Sequence, residues 1–301
     1  MPNSKPKILV TGANGQVGWE LMRRADKFGV TAIGTDSTAL DITDAQAVAA
    51  MIKPGAFDAV INAAAYTAVD KAESEPEKAY AVNRDGPGNL AQACVEADIP
   101  LIHISTDYVF DGSKKGAYTE DDSVCPVSVY GASKEAGERA VRARLTRHII
   151  LRTAWVYGVH GHNFVKTMLR LAKERDELRV VADQWGCPTA AGDIAEVILS
   201  IVARYINNQA VEWGTYHYCG AGPTTWHGFA EAILAAAEPY GERKVPVRPI
   251  ATTDYPTPAK RPANSVLDCA KIRGAFGVAP RLWSDALQEV VQEIVHPTLP
   301  Q

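Results

Sequence analysis

The sequence contains few cysteines, and their spacing provides neither a disulfide framework nor a metal site. There are five of them, an odd number, and no two form a Cys-x-x-Cys pair. Isolated thiols of this kind are typical of a reducing compartment, where disulfides are rare. The N-terminus passes from a short polar lead directly into a strand-like run and lacks the apolar stretch of a signal peptide. We therefore expect a cytoplasmic protein.

The chain also lacks a long apolar run and a strong excess of either charge. No run of about 18 apolar residues occurs, so we expect no membrane-spanning helix. Lys and Arg number 31 against 35 Asp and Glu, and the net charge of −4 is spread along the chain. Because nucleic acids and anionic membranes require a basic patch, neither is predicted as a partner. One small anionic ligand held by local groups remains compatible with this composition.

Apolar residues make up 47% and charged residues 22% of the 301 residues, which is ordinary for a globular protein with a real core. In the first half, short apolar runs alternate with longer amphipathic ones. This rhythm is typical of βαβ units and predicts an α/β fold with a doubly wound parallel, Rossmann-like sheet. The predicted strands are residues 7–10, 30–35, 59–64, 100–105 and 148–156, and the predicted helices are residues 17–27, 44–52, 76–97 and 128–144.

After about residue 157 the alternation becomes less regular. Residues 163–175 and 192–204 have helical spacing, residues 177–181 resemble a strand, and residues 214–263 are rich in Gly, Pro and Thr. Such loops often surround a ligand. We expect a dinucleotide-binding domain in residues 1–157, joined again by later segments such as 190–210. Residues 158–301 would mainly form a smaller, less regular α/β substrate-binding region.

A glycine-rich loop joins the first predicted strand to the first predicted helix. Gly12, Gly15 and Gly18 give the pattern G-x-x-G-x-x-G. Gly12 permits a tight turn, Gly15 lets the backbone approach a pyrophosphate, and Gly18 allows close packing of helix on strand. The helix N-terminus also attracts an anion. In this strand–loop–helix setting the pattern predicts a dinucleotide site rather than a structural turn alone.

Asp36 ends the second predicted strand. An acid at this place accepts hydrogen bonds from the adenosine ribose hydroxyls. It would repel a 2′-phosphate, and it therefore predicts a preference for NADH over NADPH, although the adjacent Ser37 and Thr38 would still tolerate NADPH. A turn or helix-capping aspartate is the alternative. Asp41 and Ile42 lie where the following loop would cover the adenine.

Tyr130 and Lys134 are four residues apart on a predicted helix and so share one face. Free tyrosine has a pKa near 10, and a neighbouring ammonium lowers it. Lys134 can also bind the nicotinamide ribose. Thr106 stands at the carboxyl end of a predicted parallel strand, where ligands of such sheets bind, and its hydroxyl can hold a substrate oxygen. A chance Tyr–Lys pair on a solvated helix is the alternative.

These features together resemble the extended short-chain dehydrogenase/reductases. Longer strings resemble, more narrowly, the dTDP-4-dehydrorhamnose reductase family. They are GQVGWEL at 15–21, NAAAYTAVDKAESEPE at 62–77, STDYVFDG at 105–112, RTAWVYG at 152–158, NFVKTMLRLAKER at 163–175 and YPTPAKRPANS at 255–265. The resemblance implies reduction of dTDP-4-dehydro-L-rhamnose to dTDP-L-rhamnose by NADH or NADPH, with Tyr130, Lys134 and Thr106 as catalytic residues and Tyr130 as the proton donor.

The resemblance also implies further contacts. Those with the dinucleotide are Gly15, Gln16, Val17, Asp36, Ala65, Tyr66 and Thr67. Those with the sugar are Thr106, Asp107, Val69 and Trp155. From the residues alone, Trp155 is equally compatible with a core position. Arg261 and Lys260 are compatible with binding of the nucleotide diphosphate or with plain surface solvation, and His103, in an apolar strand, is expected in the core.

Two positions depart from the family pattern. Some members bind magnesium through glutamates at a dimer interface. Glu20 keeps the first of these positions, but Gly192 or Asp193 stands at the later one. This weighs against a metal site, although a homodimer remains compatible with the sequence. Tyr66 stands where relatives often carry His, and both side chains can form hydrogen bonds.

Three other functions are considered. One is a non-catalytic, cofactor-binding regulatory subunit similar to that of methionine adenosyltransferase. Another is a reductase of a different nucleotide-linked 4-keto sugar, and the third is an epimerase or dehydratase. The presence of Thr106, Tyr130 and Lys134 together favours an active reductase. A 4,6-dehydratase is expected to carry an acid pair after Thr106, whereas here Asp107 is followed by Tyr108.

Overall fold

A computed structural model describes residues 5–297. The strands are β1 Lys7–Thr11, β2 Thr31–Thr35, β3 Ala59–Asn62, β4 Leu101–Thr106, β5 His148–Thr153, β6 Val156–Tyr157, β7 Leu178–Val181, β8 Trp185–Gly186, β9 Thr189–Ala190, β10 Gly214–His217, β11 Thr224–Thr225 and β12 Val247–Ile250. The α-helices are α1 Gln16–Arg24, α2 Ala45–Met51, α3 Val69–Ala72, α4 Pro76–Tyr80, α5 Gly86–Ala97, α6 Val129–Arg144, α7 Phe164–Glu174, α8 Ala191–Ile206, α9 Trp226–Ala237, α10 Ala270–Phe276 and α11 Trp283–Val295.

The central sheet has six strands in the order β10-β5-β4-β3-β1-β2. Every neighbouring pair is parallel. Strands of such a sheet are covered on both faces, which explains apolar runs such as β3, where every residue is buried. The predicted fold class, α/β with a parallel Rossmann-like sheet, is confirmed.

The chain changes direction across the sheet between β1 and β3. From β1 it moves outward to β2, and it then returns to β3 and continues through β4 to β5. Ligands of open α/β sheets bind at such a switch point, in the crevice outside the carboxyl ends of the strands. The two strand ends are tied together there, because the Thr11 hydroxyl donates to Asn62 Oδ1 at 2.7 Å.

Helices cover both faces of this sheet. On one face α1 and α8 pack through Leu21, Ile194 and Ile198. On the other face, α5 and α6 contribute Leu90 and Val141 to a second cluster. Both α8 and β10 come from the second half of the chain, so segments beyond residue 190 help to build the layer that holds the crevice.

A smaller core lies beside the sheet. It brings α7, α9 and α11 together with the parallel pair β7–β12 around buried side chains that include Tyr157, Phe229 and Leu287. Between the two cores, the loop after β4 meets the loop that precedes α10. Gly112 has a φ of +81°, and a Cβ there would lie 2.6 Å from the Ala263 nitrogen. This close approach sets the C-terminal loop against the carboxyl end of β4.

Two predicted elements differ from the structure. The helix predicted over residues 76–97 is interrupted by a wide, π-helical turn at Ala81–Asp85 between α4 and α5. The strand predicted over residues 148–156 stops at Thr153, and Trp155 has a φ of +45°, which breaks the extended backbone before β6. Across residues 5–297, no helix combines the length and apolar character needed to cross a bilayer.

Candidate active site at the carboxyl edge of the sheet

The glycine loop between β1 and α1 leaves no room for side chains. Gly12 has a φ of +70°, and a Cβ on it would lie 2.6 Å from the Ala64 nitrogen. A Cβ on Gly18 would lie only 2.1 Å from the Gly12 carbonyl oxygen. Gly15 donates its N–H to the same carbonyl at 2.9 Å. The loop therefore forms a bare backbone cradle at the N-terminus of α1, which suits a pyrophosphate.

A cleft of about 340 Å³ lies beside this loop. It opens at the switch point between β1 and β3, where a dinucleotide is expected. The predicted dinucleotide residues on its walls are Gly12, Gly15, Asp36, Asp41, Ile42, Ala65 and Tyr66.

Five other predicted dinucleotide residues, Lys134 among them, do not line this cleft. Gly18 packs beneath the loop, Val17 is buried, and Thr67 is exposed. The Gln16 side chain extends toward the smaller core, where its Oε1 accepts from Asn163 Nδ2 at 3.0 Å. Asn163 caps α7, so Gln16 connects the glycine loop to the second half of the chain.

Asp36 holds a fixed carboxylate at the end of β2. Its Oδ1 accepts from the backbone N–H groups of Thr38 and Ala39, both at 3.0 Å, and Oδ2 accepts from Asn14 at 2.9 Å. Hydrogen bonds from the Thr38 hydroxyl and these donors lower the pKa of Asp36. The aspartate therefore stabilises the turn, which is the role that the alternative interpretation gives it. Its Oδ2 still has acceptor capacity toward the cleft.

The start of α6 is fixed against the end of β4. Ser128 caps the helix by accepting from the Gly131 N–H at 3.2 Å. A Cβ on Gly131 would lie 2.2 Å from the Tyr108 carbonyl oxygen, so only glycine permits this contact. The Tyr130 ring meets the Tyr108 ring edge-on, with centroids 5.7 Å apart. The contact brings the predicted Tyr–Lys helix to the carboxyl edge of the sheet.

Lys134 lies in the interior, with only 2% of its surface exposed. Its ammonium donates to the Ile104 carbonyl at 2.6 Å. Burial lowers the pKa of Lys134 to about 8, and the negative charge of Glu138, one turn further along α6, opposes that shift. Lys134 is therefore mostly charged at neutral pH but has a low energetic cost of deprotonation.

The pKa of Tyr130 is raised to about 12, mainly by burial. The sequence predicts a lowering by Lys134, and this structure does not show one, because the ammonium is directed at the Ile104 carbonyl. The Thr106 hydroxyl lowers the pKa of Tyr130, while Asp107 raises it. The phenol thus stays protonated at neutral pH, the state that a proton donor requires.

Thr106 and Asp107 lie together at the end of β4. The Thr106 hydroxyl donates to Asp107 Oδ1 at 3.0 Å and accepts from the Tyr108 N–H at 3.1 Å. Asp107 is only 2% exposed, and burial raises its pKa to about 6. Its Oδ2 has no hydrogen-bond partner among the described residues. The nearby Ser265 hydroxyl lies 3.3 Å from the Trp185 carbonyl and lowers the pKa of Asp107. A buried acceptor without a donor is what a sugar hydroxyl would satisfy.

Trp155 has a φ of +45°, and its neighbours hold it in this strained backbone conformation. Its ring stacks on Trp226 with centroids 3.6 Å apart. A Cβ on Gly186 would lie 2.3 Å from the indole, so the Gly186 backbone also packs closely against it. Positive φ at a bulky residue costs free energy and recurs at functional sites. Trp155 is therefore a firmly fixed, partly buried indole packed against two core clusters, and its contact with a sugar stays a prediction.

Arg261 contacts Asp70 in α3. Asp70 directly follows Val69, the residue predicted to line the sugar pocket. The guanidinium forms two hydrogen bonds with the Asp70 carboxylate, from Nη1 at 3.0 Å and from Nη2 at 2.8 Å. Sequence analysis did not single out Asp70. Lys260, the other predicted diphosphate ligand, is exposed.

Comparisons with known proteins identify the family. A family model described as the RmlD substrate binding domain matches residues 6–296. The chain belongs to this family. It is 47% identical over 287 residues to a dTDP-4-dehydrorhamnose reductase of Aggregatibacter actinomycetemcomitans, covering 94% of this chain and 98% of the relative. The counterpart of Sinorhizobium fredii is 44% identical over 286 residues, covering 95% and 96%.

Solved structures agree with this assignment. A dTDP-4-dehydrorhamnose reductase from Clostridium acetobutylicum superposes with a TM-score of 0.88 at 43% identity, covering 95% of this chain and 98% of its own. The enzyme from Bacillus anthracis, in complex with NADP, gives 0.89 at 36% identity, covering 96% and 100%. The predicted resemblance to the dTDP-4-dehydrorhamnose reductase family is confirmed.

The carboxylates around Glu20, where some family members bind magnesium, do not fit a metal site here. Glu20 is 4% exposed, and its Oε2 lies 3.0 Å from both Arg23 and Arg24. Asp193, at the later position, pairs with Arg281 at 2.8 Å. Within residues 5–297 no cluster of three or more His, Cys, Asp and Glu side chains could hold a metal ion. These carboxylates are neutralised by arginines instead.

Asn83 is a site-supporting residue that sequence analysis missed. It lies in the π-helical turn and is 1% exposed. Its side chain accepts from the Tyr66 N–H at 2.8 Å and donates to the Tyr66 carbonyl and to the Ser133 hydroxyl, both at 3.0 Å. Asn83 thus fixes the loop after β3 to α6. The sequence carries no local signal for this residue, because the interruption of the long helix is seen only in the structure, where π-turns often mark functional sites.

His103 is a core residue, as expected. Its Nδ1 accepts from the Asn62 amide at 3.0 Å, and burial lowers the pKa of the imidazole well below its ordinary value. The ring is therefore neutral. Its Nε2 has no partner among the described residues, so it is only partly satisfied. Neither the position nor the charge state gives it a catalytic role.

Proposed function

We propose that this chain is a dTDP-4-dehydrorhamnose reductase that converts dTDP-4-dehydro-L-rhamnose to dTDP-L-rhamnose with NADH or NADPH. The observation that carries the proposal is the placement of a protonated Tyr130 beside Thr106 and Asp107 at the carboxyl end of β4. A dTDP-4-dehydrorhamnose reductase that is 47% identical over 94% of this chain supports the same substrate.

The bare backbone of the glycine loop and the cleft beside Asp36 fit a dinucleotide. When bound, the reduced nicotinamide supplies the hydride that adds to the keto carbon. The chain itself provides the N-terminus of α1 for the pyrophosphate and the Asp36 carboxylate for ribose hydroxyls. Lys134 keeps donors beyond the one used on Ile104 and can bind the second ribose.

Tyr130 supplies the proton. Hydride addition leaves negative charge on the former keto oxygen, and an alkoxide is a stronger base than a phenolate. Proton transfer from a phenol with a pKa of about 12 therefore remains favourable. A correctly placed acid of this kind contributes about 100- to 10,000-fold in rate. Lys134, charged below a pH of about 8, stabilises negative charge near the reacting oxygen.

Thr106 and Asp107 position the sugar. The unpartnered Oδ2 of Asp107 accepts a sugar hydroxyl, which offsets the cost of its burial. The Thr106 proton is donated to Asp107 in this structure, so it must turn toward the substrate oxygen if it is to assist Tyr130. Trp155 and Val69 complete the wall around the sugar ring. Val17, Gln16 and Thr67 remain assigned to the dinucleotide by resemblance alone.

The test is turnover by purified protein given dTDP-4-dehydro-L-rhamnose with NADH or NADPH, followed by nicotinamide absorbance and by identification of the sugar product. Cofactor oxidation with formation of dTDP-L-rhamnose is expected. A regulatory subunit would bind the cofactor without oxidising it. Turnover restricted to a UDP- or GDP-linked 4-keto-6-deoxysugar would assign a different substrate, and isomerisation or water loss would assign an epimerase or dehydratase.

Two wider properties belong to the same proposal. All five cysteines are free thiols, including Cys219 and Cys269, whose sulfur atoms lie 3.8 Å apart, which supports a cytoplasmic location. A homodimer is proposed from the family resemblance, and sedimentation of the purified protein tests it.

A further inference from the structure

The contact between Asp70 and Arg261 joins distant parts of the chain at the rim of the site. Asp70 lies in α3, directly after Val69, whereas Arg261 lies in the C-terminal loop. The phenol of Tyr108 is close enough to feel the charges of both. The Tyr108 ring in turn packs edge-on against the ring of Tyr130, the proposed proton donor.

The hydrogen bonds of Arg261 leave one edge of its guanidinium unused. One N–H of Nη1 and one of Nη2 go to Asp70. The second N–H of Nη1 faces Thr257 Oγ1 at 2.5 Å and the Ala259 carbonyl at 3.2 Å. No acceptor within residues 5–297 contacts Nε, and Nη2 contacts only Asp70. The remaining Nε–H and outer Nη2–H lie on the same side of the planar group.

Asp70 is itself held in place. Besides Arg261, its Oδ1 accepts from the Ala259 backbone N–H at 3.2 Å, so it anchors the loop that carries the guanidinium. The hydrogen bonds from Arg261 lower the pKa of Asp70, which keeps its charge at neutral pH. The Arg261 side chain is 23% exposed, and its guanidinium is fixed by Asp70 on one edge.

We infer that Asp70 is a positioning residue that presents the unused edge of Arg261 to two oxygens of the diphosphate in the sugar nucleotide. Two parallel N–H donors match two oxygens of a phosphate, which is why arginine is suited to this contact. The inference rests on the proposed function and deepens it. Asp70 orients Arg261, and Arg261 binds the diphosphate while it keeps its hydrogen bonds to Asp70.

Positioning and simple electrostatics predict opposite results when Asp70 is neutralised. By charge alone, Asp70→Asn removes a carboxylate beside the guanidinium and should strengthen binding of an anion. If Asp70 fixes the orientation of Arg261, the same change should weaken binding, because an asparagine amide accepts at only one atom. Asp70→Glu keeps the charge but displaces it by one methylene, and it should also weaken binding.

The experiment is calorimetric titration of dTDP into the wild type, Asp70→Asn and Asp70→Glu, with NADH binding and thermal unfolding as checks of the fold. A loss of about 10- to 100-fold in dTDP affinity is expected for Asp70→Asn, from the usual strength of hydrogen bonds to charged groups. NADH affinity should stay unchanged. In turnover, the KM for the sugar nucleotide should rise while kcat changes little.

Glu177→Gln is the matched control. It removes the same charge from another ion pair with an arginine, Arg248, and Glu177 is 44% exposed against 41% for Asp70. It should leave dTDP affinity unchanged. In an Arg261→Ala background, Asp70→Asn should have no further effect on dTDP binding, because its role acts through that guanidinium.

Unchanged or tighter dTDP binding by Asp70→Asn, in a wild type that binds dTDP and turns over the sugar nucleotide, overturns the positioning role alone. An equal loss of NADH and dTDP affinity also overturns it, since that result indicates that the Asp70–Arg261 contact only stabilises the fold. Absence of dTDP binding and of turnover in the wild type would overturn the proposed function together with this inference.

Discussion

Replacement of Lys134 by methionine should make the protein more stable and inactive at the same time. The side chain is almost fully buried, and burial lowers the pKa of its ammonium to about 8. An unfolded lysine has a pKa of about 10.4. The folded chain therefore binds the proton less tightly than the unfolded chain, and at pH 7 the buried charge costs stability. Methionine fills a similar volume without a charge.

The size of the effect follows from these pKa values. A lysine pKa lowered to about 8 corresponds to roughly 3 kcal/mol of destabilisation at pH 7. Loss of the hydrogen bond to the Ile104 carbonyl subtracts about 1 kcal/mol. Lys134→Met should therefore gain about 2 kcal/mol in the free energy of unfolding at pH 7, while losing turnover and cofactor affinity.

The pH dependence gives the sharper test. Between about pH 8 and pH 10.4 the unfolded wild type still holds the lysine proton and the folded wild type does not, so wild-type stability rises with pH in that window. The advantage of the variant should shrink by about 2 kcal/mol from pH 7 to pH 10. Urea unfolding without cofactor at the two pH values measures this difference.

Lys78→Met is the control for this prediction, because Lys78 is 65% exposed and its replacement removes no charge from the interior. It should give no gain in stability at pH 7. A Lys134→Met variant that is less stable than the wild type at pH 7, or whose advantage persists undiminished at pH 10, would refute the reasoning from burial.

Four further predictions concern activity. Tyr130→Phe should lower turnover by about 100- to 10,000-fold with NADH binding nearly unchanged. Thr106→Val should raise the activation free energy of turnover by roughly 0.5–1.5 kcal/mol. Near-normal turnover of Tyr130→Phe would contradict the mechanism. Asp36→Ala should raise the KM for NADH more than that for NADPH, and equal changes in the two constants would show that Asp36 does not set the preference. Because arginines neutralise Glu20 and Asp193, turnover should persist in EDTA, and a full loss that magnesium restores would contradict this.

Features that depend on short stretches of chain were predictable from the sequence. The buried strands and the glycine loop follow from apolar spacing and from backbone constraints that lie within a few residues of each other. Gly18 needs its missing side chain because of contacts within its own loop, and Gly12 has the positive φ that this turn requires. For the same reason, the cofactor cleft and the presence of Tyr130 and Lys134 on one helix were accessible without a structure.

Features that depend on residues far apart in the chain were decided only by the tertiary structure. The sequence gives no means of pairing Asp70 with Arg261, because their contact requires the C-terminal loop to return to α3. The pKa of Tyr130 also differs from expectation, since burial by surrounding elements raises it while the Lys134 ammonium is directed at the Ile104 carbonyl. Likewise, the unpartnered oxygen of Asp107 appears only when the whole shell of neighbours is known. Local periodicity determines the elements, whereas desolvation and long-range pairing, which sum over the entire fold, determine the chemistry of the site.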